Sequence, residues 1–218
     1  MFSLLSAVGR PGSALSAMRF APSDAHERTS KKTLRKPLPT RPLLVLVMGV
    51  AGSGKTTLAQ EILRHLSAVY LDNNQIADAF FPDTRNGTAY AKLRPRIYSA
   101  LYTVTEENLR LGNWVLLDAP HVKEMQCPEW RSFIKRMVVR TKAKMIVIRC
   151  FCSERVLSAR IRARGEPRDN WKLDHWQEFL KKEPIEVPIP FRHLNIDTAK
   201  PLTKNTQAAL RYILEQGA

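Results

Sequence analysis

The sequence predicts a three-layer α/β fold, in which helices cover both faces of a five-stranded parallel sheet. Two observations support this prediction. Short apolar runs alternate along the chain with segments of helical spacing, which is the pattern of parallel strands joined by helical crossovers. A glycine-rich segment also joins the first apolar run to the first helical segment, at the edge where open α/β sheets bind ligands. With 218 residues, the chain is long enough to bury one substantial core.

The beginning of the chain differs in composition from the remainder. Residues 1–42 contain eight basic and two acidic residues and end in a segment with three prolines, which oppose both helix and sheet. We therefore expect a disordered basic leader with a Pro-rich linker over 1–42 and a single domain over 43–218. An extension on a cytoplasmic protein is favoured. A transit peptide to the mitochondrial matrix is the alternative, because the segment is rich in Arg and Ser and poor in acids.

The first strand and the first helix follow from hydrophobic periodicity. Residues 43–48 are continuously apolar, as expected of a parallel strand buried on both faces. A helix is predicted over about 55–67, because Leu58, Ile62 and Leu66 are spaced four apart and so share one helix face.

The later elements continue the same alternation. A short strand is expected at 69–72, where Val-Tyr-Leu precedes a polar residue, and helices at 74–80 and about 88–111. A Gly-Asn break then precedes a strand at 114–118. Periodicity further predicts a helix at 130–140, a strand at 144–150, a helix at 153–164, a charged segment to 182, a strand at 194–197 and a closing helix at 203–216.

The segment between the first strand and helix reads Gly-Val-Ala-Gly-Ser-Gly-Lys-Thr and fits the phosphate-binding pattern G-x-x-x-x-G-K-S/T. Its glycines allow the backbone to curl around a phosphate, and its N–H groups and the helix N-terminus face the anion. We expect Lys55 to reach the β- and γ-phosphates and the Thr56 hydroxyl to bind Mg²⁺. ATP and Mg²⁺ are the expected cofactors. The candidate nucleotide-binding residues are Gly49, Val50, Ala51, Gly52, Ser53, Gly54, Lys55, Thr56 and Thr57.

Two aspartates end strands at the same predicted edge of the sheet. Asp118 follows an apolar strand, which is the position of a carboxylate that binds Mg²⁺ or its waters; an ordinary acidic strand terminus is the alternative. Asp72 ends the second strand and could accept the proton of an attacking hydroxyl. The alternative for Asp72 is a helix N-cap, for which aspartate is well suited.

Basic residues supply two further candidate groups. Arg160 and Arg164 are four apart on one helix face, and a Gly-Glu-Pro break allows Arg168 to point back. Arginines in such positions stabilise the charge of a transferring phosphoryl group; a solvated basic helix face is the alternative. Arg94 and Arg96, with His121, are candidate substrate residues, and surface charge on a helix explains the two arginines equally well.

Composition narrows the classes of partner. The formal net charge of +15 suits either nucleic acid or anionic small molecules. Nucleic acid is possible but not favoured, because no basic motif interleaved with aromatic residues occurs. No stretch approaches the roughly 20 apolar residues of a membrane span, and no obligate protein partner is inferred.

Together these motifs resemble the small P-loop kinases, and specifically the zeta-toxin, gluconate kinase and chloramphenicol phosphotransferase-like group of AAA-family ATP-binding proteins. The resemblance covers about residues 43–216. It implies a P-loop NTPase fold with sheet order 2-3-1-4-5, a helical arginine lid, Asp72 as the general base, and Thr198 near the adenine. The sequence departs from gluconate kinases at Asn73-Asn74, where those enzymes usually carry a further acid, and this argues against gluconate.

The resemblance implies an ATP-dependent phosphotransferase acting on a hydroxyl group of a small molecule. A polynucleotide 5′-hydroxyl kinase is the alternative within the same chemistry. A non-kinase ATP-hydrolysing switch or nucleic-acid-associated ATPase is the alternative from another class. It is disfavoured, because the chain has no Asn-Lys-x-Asp motif and carries Asp118-Ala119 in place of the Asp-Glu pair of mechanical ATPases.

Overall fold

A computed structural model describes residues 41–85 and 87–217 of the protein. The expected leader lies outside the described residues, except for its last two positions, so the division at residue 42 stays a prediction. None of the helices in the described ranges is both long and apolar enough to cross a membrane.

The described chain forms a five-stranded parallel sheet with the order β2-β3-β1-β4-β5. The strands are β1 (Leu43–Met48), β2 (Val69–Asp72), β3 (Val115–Asp118), β4 (Lys144–Phe151) and β5 (His193–Asp197). The predicted fold class and strand order are confirmed.

Helices connect successive strands, and a last helix follows β5. They are α1 (Lys55–Leu63), α2 (Asn73–Phe80), α3 (Thr88–Arg110), α4 (Val122–Gln126), α5 (Pro128–Arg140), α6 (Glu154–Arg164), α7 (Asn170–Asp174), α8 (Trp176–Lys182) and α9 (Leu202–Gly217), with a 3₁₀ turn at Pro167–Asp169 before α7. We call α6, the 3₁₀ turn, α7 and α8 the lid.

The central strand β1 explains the three layers, because all six of its residues are buried. Side chains alternate between the faces of a strand, so Leu44 and Leu46 pack toward α3 and α5, while Val45 and Val47 pack toward α1 and α9. Both faces of the sheet are therefore covered, as a continuously apolar strand predicts.

The structure corrects three details of the expected elements. Helix α1 ends at Leu63 rather than at 67, and His65 N–H bonds to the carbonyl three residues earlier. The short helix α4 was not expected, because five residues are too few to show a helical period. Helix α5 begins at Pro128 rather than at 130, since proline is favoured in a first turn.

Candidate active site

The phosphate-binding loop lies between β1 and α1, and its glycines are required by its shape. Gly49, Gly52 and Gly54 have φ values of 145°, 80° and 77°, which residues with a side chain rarely adopt. A β-carbon at Gly49 would lie 2.3 Å from the carbonyl oxygen of Cys150. The N–H of Gly49 also donates to the carbonyl of Pro120 at 3.1 Å, which fixes the loop to the end of β3.

Two carboxylates meet beside this loop. Asp72 and Asp118 are register partners at the ends of β2 and β3, and both are buried. The Thr56 hydroxyl donates to Asp118 Oδ2 at 2.6 Å. The Tyr70 hydroxyl lies 3.3 Å from Asp72 Oδ2 and 3.2 Å from Asp118 Oδ2. Tyr70 was not identified from the sequence, although its position two residues before Asp72 places both on one face of β2.

The ionisation of these groups reflects their burial. Burial raises the pKa of Asp118, and burial together with the charge of Asp118 raises the pKa of Asp72. Burial and both carboxylates also raise the pKa of Tyr70, so its hydroxyl remains a hydrogen-bond donor. The positive charge of Lys55 acts in the opposite direction on both aspartates. A nearby cation would therefore favour the ionised form of both carboxylates, as the charge of Lys55 already does.

The residues present fit Mg²⁺. Thr56 and Asp118 offer a hydroxyl and a carboxylate next to the phosphate-binding loop, and hard oxygen ligands are those that Mg²⁺ prefers. Asp118 Oδ1 is buried and has no hydrogen-bond partner among the described residues. Magnesium sites of this type combine one or two carboxylates with substrate phosphates and waters.

Asp72 also forms the helix N-cap that is the alternative to its role as a general base. Its Oδ1 accepts a 2.7 Å hydrogen bond from the backbone N–H of Asn74, which makes Asp72 the N-cap of α2. A carboxylate has about four lone-pair sites, so the cap leaves capacity for a further proton. The structure therefore establishes the cap, and the role as general base stays a proposal.

The three lid arginines occupy different places. Arg160 donates to the hydroxyl and the carbonyl of Thr198, each at 2.8 Å, and so joins α6 to the segment after β5. Arg164 pairs with the buried Asp169. Arg168 reaches out of the lid and pairs with Asp78 of α2.

Two cavities adjoin the loop. The P-loop cavity, of about 670 Å³, lies between the phosphate-binding loop and the segment after β5, and its walls include Gly54, Thr56, Arg160 and Thr198. The α3 cavity, of about 330 Å³, lies between α3 and the lid. The residues that line both cavities are Lys55, Asn74 and Arg164.

Two predicted substrate residues do not reach either cavity. Arg96 is exposed on α3 and lines neither of them. His121 is fully buried, its Nε2 lies 3.1 Å from the Tyr102 hydroxyl, and burial lowers its pKa to about 4. An exposed helix face and a closed aromatic cluster thus hold these two side chains away from both cavities, and their role in binding a substrate stays an untested prediction.

Other residues of the predicted set differ in whether they line a cavity. Ala51 lines the α3 cavity, whereas Val50 and Ser53 are buried loop residues that line neither cavity. Arg94 does line the α3 cavity, where it pairs with Glu124 at 2.5 Å and lies 4.2 Å from the centre of the Tyr98 ring.

The sequence did not single out several residues that the fold brings to the α3 cavity. They are Asn74, Lys123, Trp171, Lys172 and Lys182. Arg85 and Tyr90 also line this cavity, and they belong to the basic and aromatic segment 85–98, for which the sequence suggests either a substrate-side cap or surface charge on a helix. The other side chains converge only after the lid folds over α2 and α3.

Comparison with known proteins bears on the family and the fold of the chain. Residues 44–183 match a protein-family model described as an AAA domain. A comparison with curated protein sequences finds no match.

Solved structures share the fold at low sequence identity. The APS kinase CysC of Mycobacterium tuberculosis, in complex with AMPPNP and APS, is 18% identical with a TM-score of 0.57, over 81% of this chain and 99% of that chain. A gluconokinase of Sinorhizobium meliloti is 17% identical with a TM-score of 0.53, over 81% and 94%. Kti12 of Chaetomium thermophilum, in complex with ADP-AlF3, is 17% identical with a TM-score of 0.59, over 80% and 99%. The family match and these structures confirm the resemblance in family and in fold.

Proposed function

This chain belongs to the AAA domain family, and we propose that it is a phosphotransferase that moves the γ-phosphoryl group of ATP to a hydroxyl group of a small molecule. The observation that carries the proposal is the junction of the two cavities at Lys55, Asn74 and Arg164. A kinase needs two binding sites that meet where the phosphoryl group moves, in line with the attacking oxygen. A nucleotide switch needs only the nucleotide-binding site.

The P-loop cavity takes ATP in this proposal. Loop N–H groups bind the phosphates, and Lys55 lies at the junction, where the γ-phosphate would be placed. Thr56 and Asp118 would hold Mg²⁺, which when bound neutralises charge on the β- and γ-phosphates. Thr198, held by Arg160, would border the nucleotide at the opposite wall.

The acceptor hydroxyl would enter from the α3 cavity, and Asp72 would take its proton. Burial and the neighbouring Asp118 raise the pKa of Asp72, which makes its carboxylate a stronger base. Asn74, whose backbone N–H binds Asp72, lines both cavities. Asp72 lines neither cavity itself, so in this proposal it would act from beside the junction, next to Asn74.

The lid would supply positive charge as the phosphoryl group moves. Arg160 and Arg164 line the P-loop cavity, and Arg164 also lines the α3 cavity. Guanidinium groups beside a transferring phosphoryl group stabilise the charge on its equatorial oxygens. Arg168 lines only the α3 cavity, so we assign it to the acceptor rather than to the nucleotide.

The proposal is tested by transfer of ³²P from [γ-³²P]ATP into a panel of hydroxylated metabolites and 5′-hydroxyl oligonucleotides. We expect slow ATP hydrolysis alone, label in a small molecule, and faster ATP consumption when that molecule is present. The Lys55→Ala variant is the control. It should lower transfer by about 10²–10³-fold, the usual effect of removing one preorganised donor.

Three results would contradict the proposal. Hydrolysis of ATP that no member of the panel accelerates would favour a switch. Label found only in oligonucleotides would favour a polynucleotide kinase. Unchanged turnover in Lys55→Ala would remove the nucleotide site itself.

A further inference from the structure

Two arginines that line the α3 cavity share one carboxylate. Asp78 of α2 pairs with Arg85, which lies between α2 and α3, and with Arg168 of the lid. Both arginine side chains are nearly buried, with 11% and 12% of their surface exposed. Both line the α3 cavity, and neither lines the P-loop cavity.

The shared carboxylate leaves positive charge without a counterpart. Glu166 and Asp169 also act electrostatically on Arg168, but Asp169 is already paired with Arg164 and Lys172. With Arg85 included, four basic residues face three acids, so an excess charge of about +1 remains in a partly enclosed site. An unbalanced charge in such a position is unfavourable unless an anion completes the arrangement. Attachment of the lid to α2 would require only one of the two arginines. The second arginine is therefore better explained by a ligand.

The orientation of Arg85 agrees with this interpretation. Its Nη1 donates to Asn74 Oδ1 at 2.9 Å, and its Nη2 pairs with Asp78, while its Nε is buried and has no partner among the described residues. Asn74 lines both cavities. The arginine pair is thus connected directly to the junction where transfer would occur.

The remaining walls of the cavity have the same character. Lys123, Lys172 and Lys182 also line the cavity, with the acids Glu124 and Glu183. Lys172 pairs with Asp169, and Lys182 pairs with Glu178. Tyr90 and Trp171 add aromatic surface. A volume of about 330 Å³ is at the lower end of ligand pockets, which span roughly 300–1,000 Å³, and it suits a small metabolite better than a polymer.

From these contacts we infer that the phosphoryl acceptor is a small hydroxylated molecule with an anionic group, a phosphate or a carboxylate, that binds between Arg85 and Arg168. The inference rests on the proposed function, since it identifies the acceptor of that same site. Asp78 is a positioning residue here, because it aligns the two guanidinium groups without touching the reacting atoms.

The anion site is tested first by calorimetry with inorganic phosphate. The protein is saturated with AMPPNP and Mg²⁺, so that the phosphate-binding loop is already filled. We expect phosphate to bind the wild type, and Arg85→Gln and Arg168→Gln to weaken that binding by roughly 10- to 100-fold, as expected for a lost charge-assisted hydrogen bond. Arg136→Gln, an exposed position on α5, removes the same charge elsewhere and should leave phosphate binding unchanged. No phosphate binding by the wild type, or equal binding by all four proteins, would overturn the inference.

The second test compares acceptors of matched structure. Glucose, gluconate and glucose 6-phosphate differ in the anionic group, as do adenosine and AMP. We expect transfer to the anionic members only. Transfer to gluconate would indicate a site for a carboxylate, and transfer to glucose 6-phosphate would indicate a site for a phosphate. Arg85→Gln should raise the KM for the anionic acceptor by roughly 10- to 100-fold and leave the KM for ATP unchanged.

The outcomes separate the inference from the proposed function. Equal transfer to neutral and anionic members would overturn the anionic acceptor and leave the phosphotransferase in place. Preference for an oligonucleotide over every small anion would likewise overturn it. Hydrolysis with no transfer at all would instead contradict the phosphotransferase, and the calorimetry would still decide whether the anion site exists.

Discussion

Replacement of Asp72 by asparagine separates its two roles. Asparagine is as good an N-cap as aspartate, so the hydrogen bond to the Asn74 N–H should persist and α2 should remain intact. The general base is lost. Phosphoryl transfer should therefore fall by about 10²–10⁴-fold, the usual contribution of a positioned base, while the affinity for ATP with Mg²⁺ stays close to that of the wild type.

The same substitution should stabilise the protein without ligand. The two Oδ2 atoms of Asp72 and Asp118 lie no more than about 6.5 Å apart, because the Tyr70 hydroxyl is 3.3 Å from one and 3.2 Å from the other. Two full charges at that distance repel by about 2.5 kcal/mol at an effective dielectric constant near 20. After the opposing attraction to Lys55, we expect a net gain on the order of 1 kcal/mol. This corresponds to a rise of about 2–4 °C in Tm for a domain of this size.

The pH dependence of Tm independently tests whether repulsion between Asp72 and Asp118 is the origin of this stabilisation. The pKa of Asp72 is raised above its ordinary value of 3.8. A raised carboxyl pKa destabilises the folded state as the pH rises from the ordinary value through the folded-state value. The penalty is absent at lower pH, where both states are protonated. The Tm advantage of the variant should thus grow as the pH rises above the ordinary pKa and disappear below it.

The assay combines ³²P transfer, ATP binding by calorimetry and thermal unfolding between pH 3 and pH 8. Asp118→Asn is the matched variant, and it should weaken the Mg²⁺ dependence of ATP binding instead. Wild-type transfer by Asp72→Asn would show that Asp72 is only a cap. A lower Tm at pH 7 would refute the electrostatic reasoning, and equal, small effects of both variants would refute the mechanism.

Three further predictions concern the loop, the lid and the leader. Gly49→Ala should destabilise the protein by at least about 2 kcal/mol in chemical denaturation, since a β-carbon there would lie 2.3 Å from a carbonyl oxygen of β4. Gly87→Ala is the control. A β-carbon at Gly87 would meet nothing within 4 Å, so this substitution should cost under about 1 kcal/mol. Arg164→Gln should lower transfer by about 10²-fold or more, whereas Arg162→Gln, exposed on the same helix, should not change the rate. Removal of residues 1–40 should leave Tm and transfer nearly unchanged, as their composition predicts, and a large drop in Tm would show that the leader stabilises the domain.

The local parts of the fold could be predicted from the sequence. The strand, glycine-rich loop and first helix are contiguous, so residues 43–56 contain both the motif and the context that confirms it. Asp72 and Asp118 could also be identified, because the carboxyl ends of parallel strands meet at one edge. Periodicity did not reveal α4, which is shorter than two helical turns.

The details of the candidate acceptor site could not be predicted in the same way. Arg94 and Arg96 are two apart on one helix, and only packing decides that the first lines a cavity while the second faces solvent. His121 follows a polar strand end, yet its fully buried ring lies beside Tyr102. Such choices depend on neighbours that are distant along the chain.

The sequence by itself determined the fold class, the phosphate-binding loop and the carboxylates beside it, because those features depend on contiguous residues and on the direction of parallel strands. Only the tertiary structure decided which arginines of the lid lie at the P-loop cavity, at the junction and at the α3 cavity. Arg160 joins the nucleotide side, Arg164 lies at the junction, and Arg168 crosses to Asp78 beside Arg85. The reason is physical: a guanidinium at the end of a long side chain takes the partner that the folded lid brings within reach, and the sequence does not contain that distance.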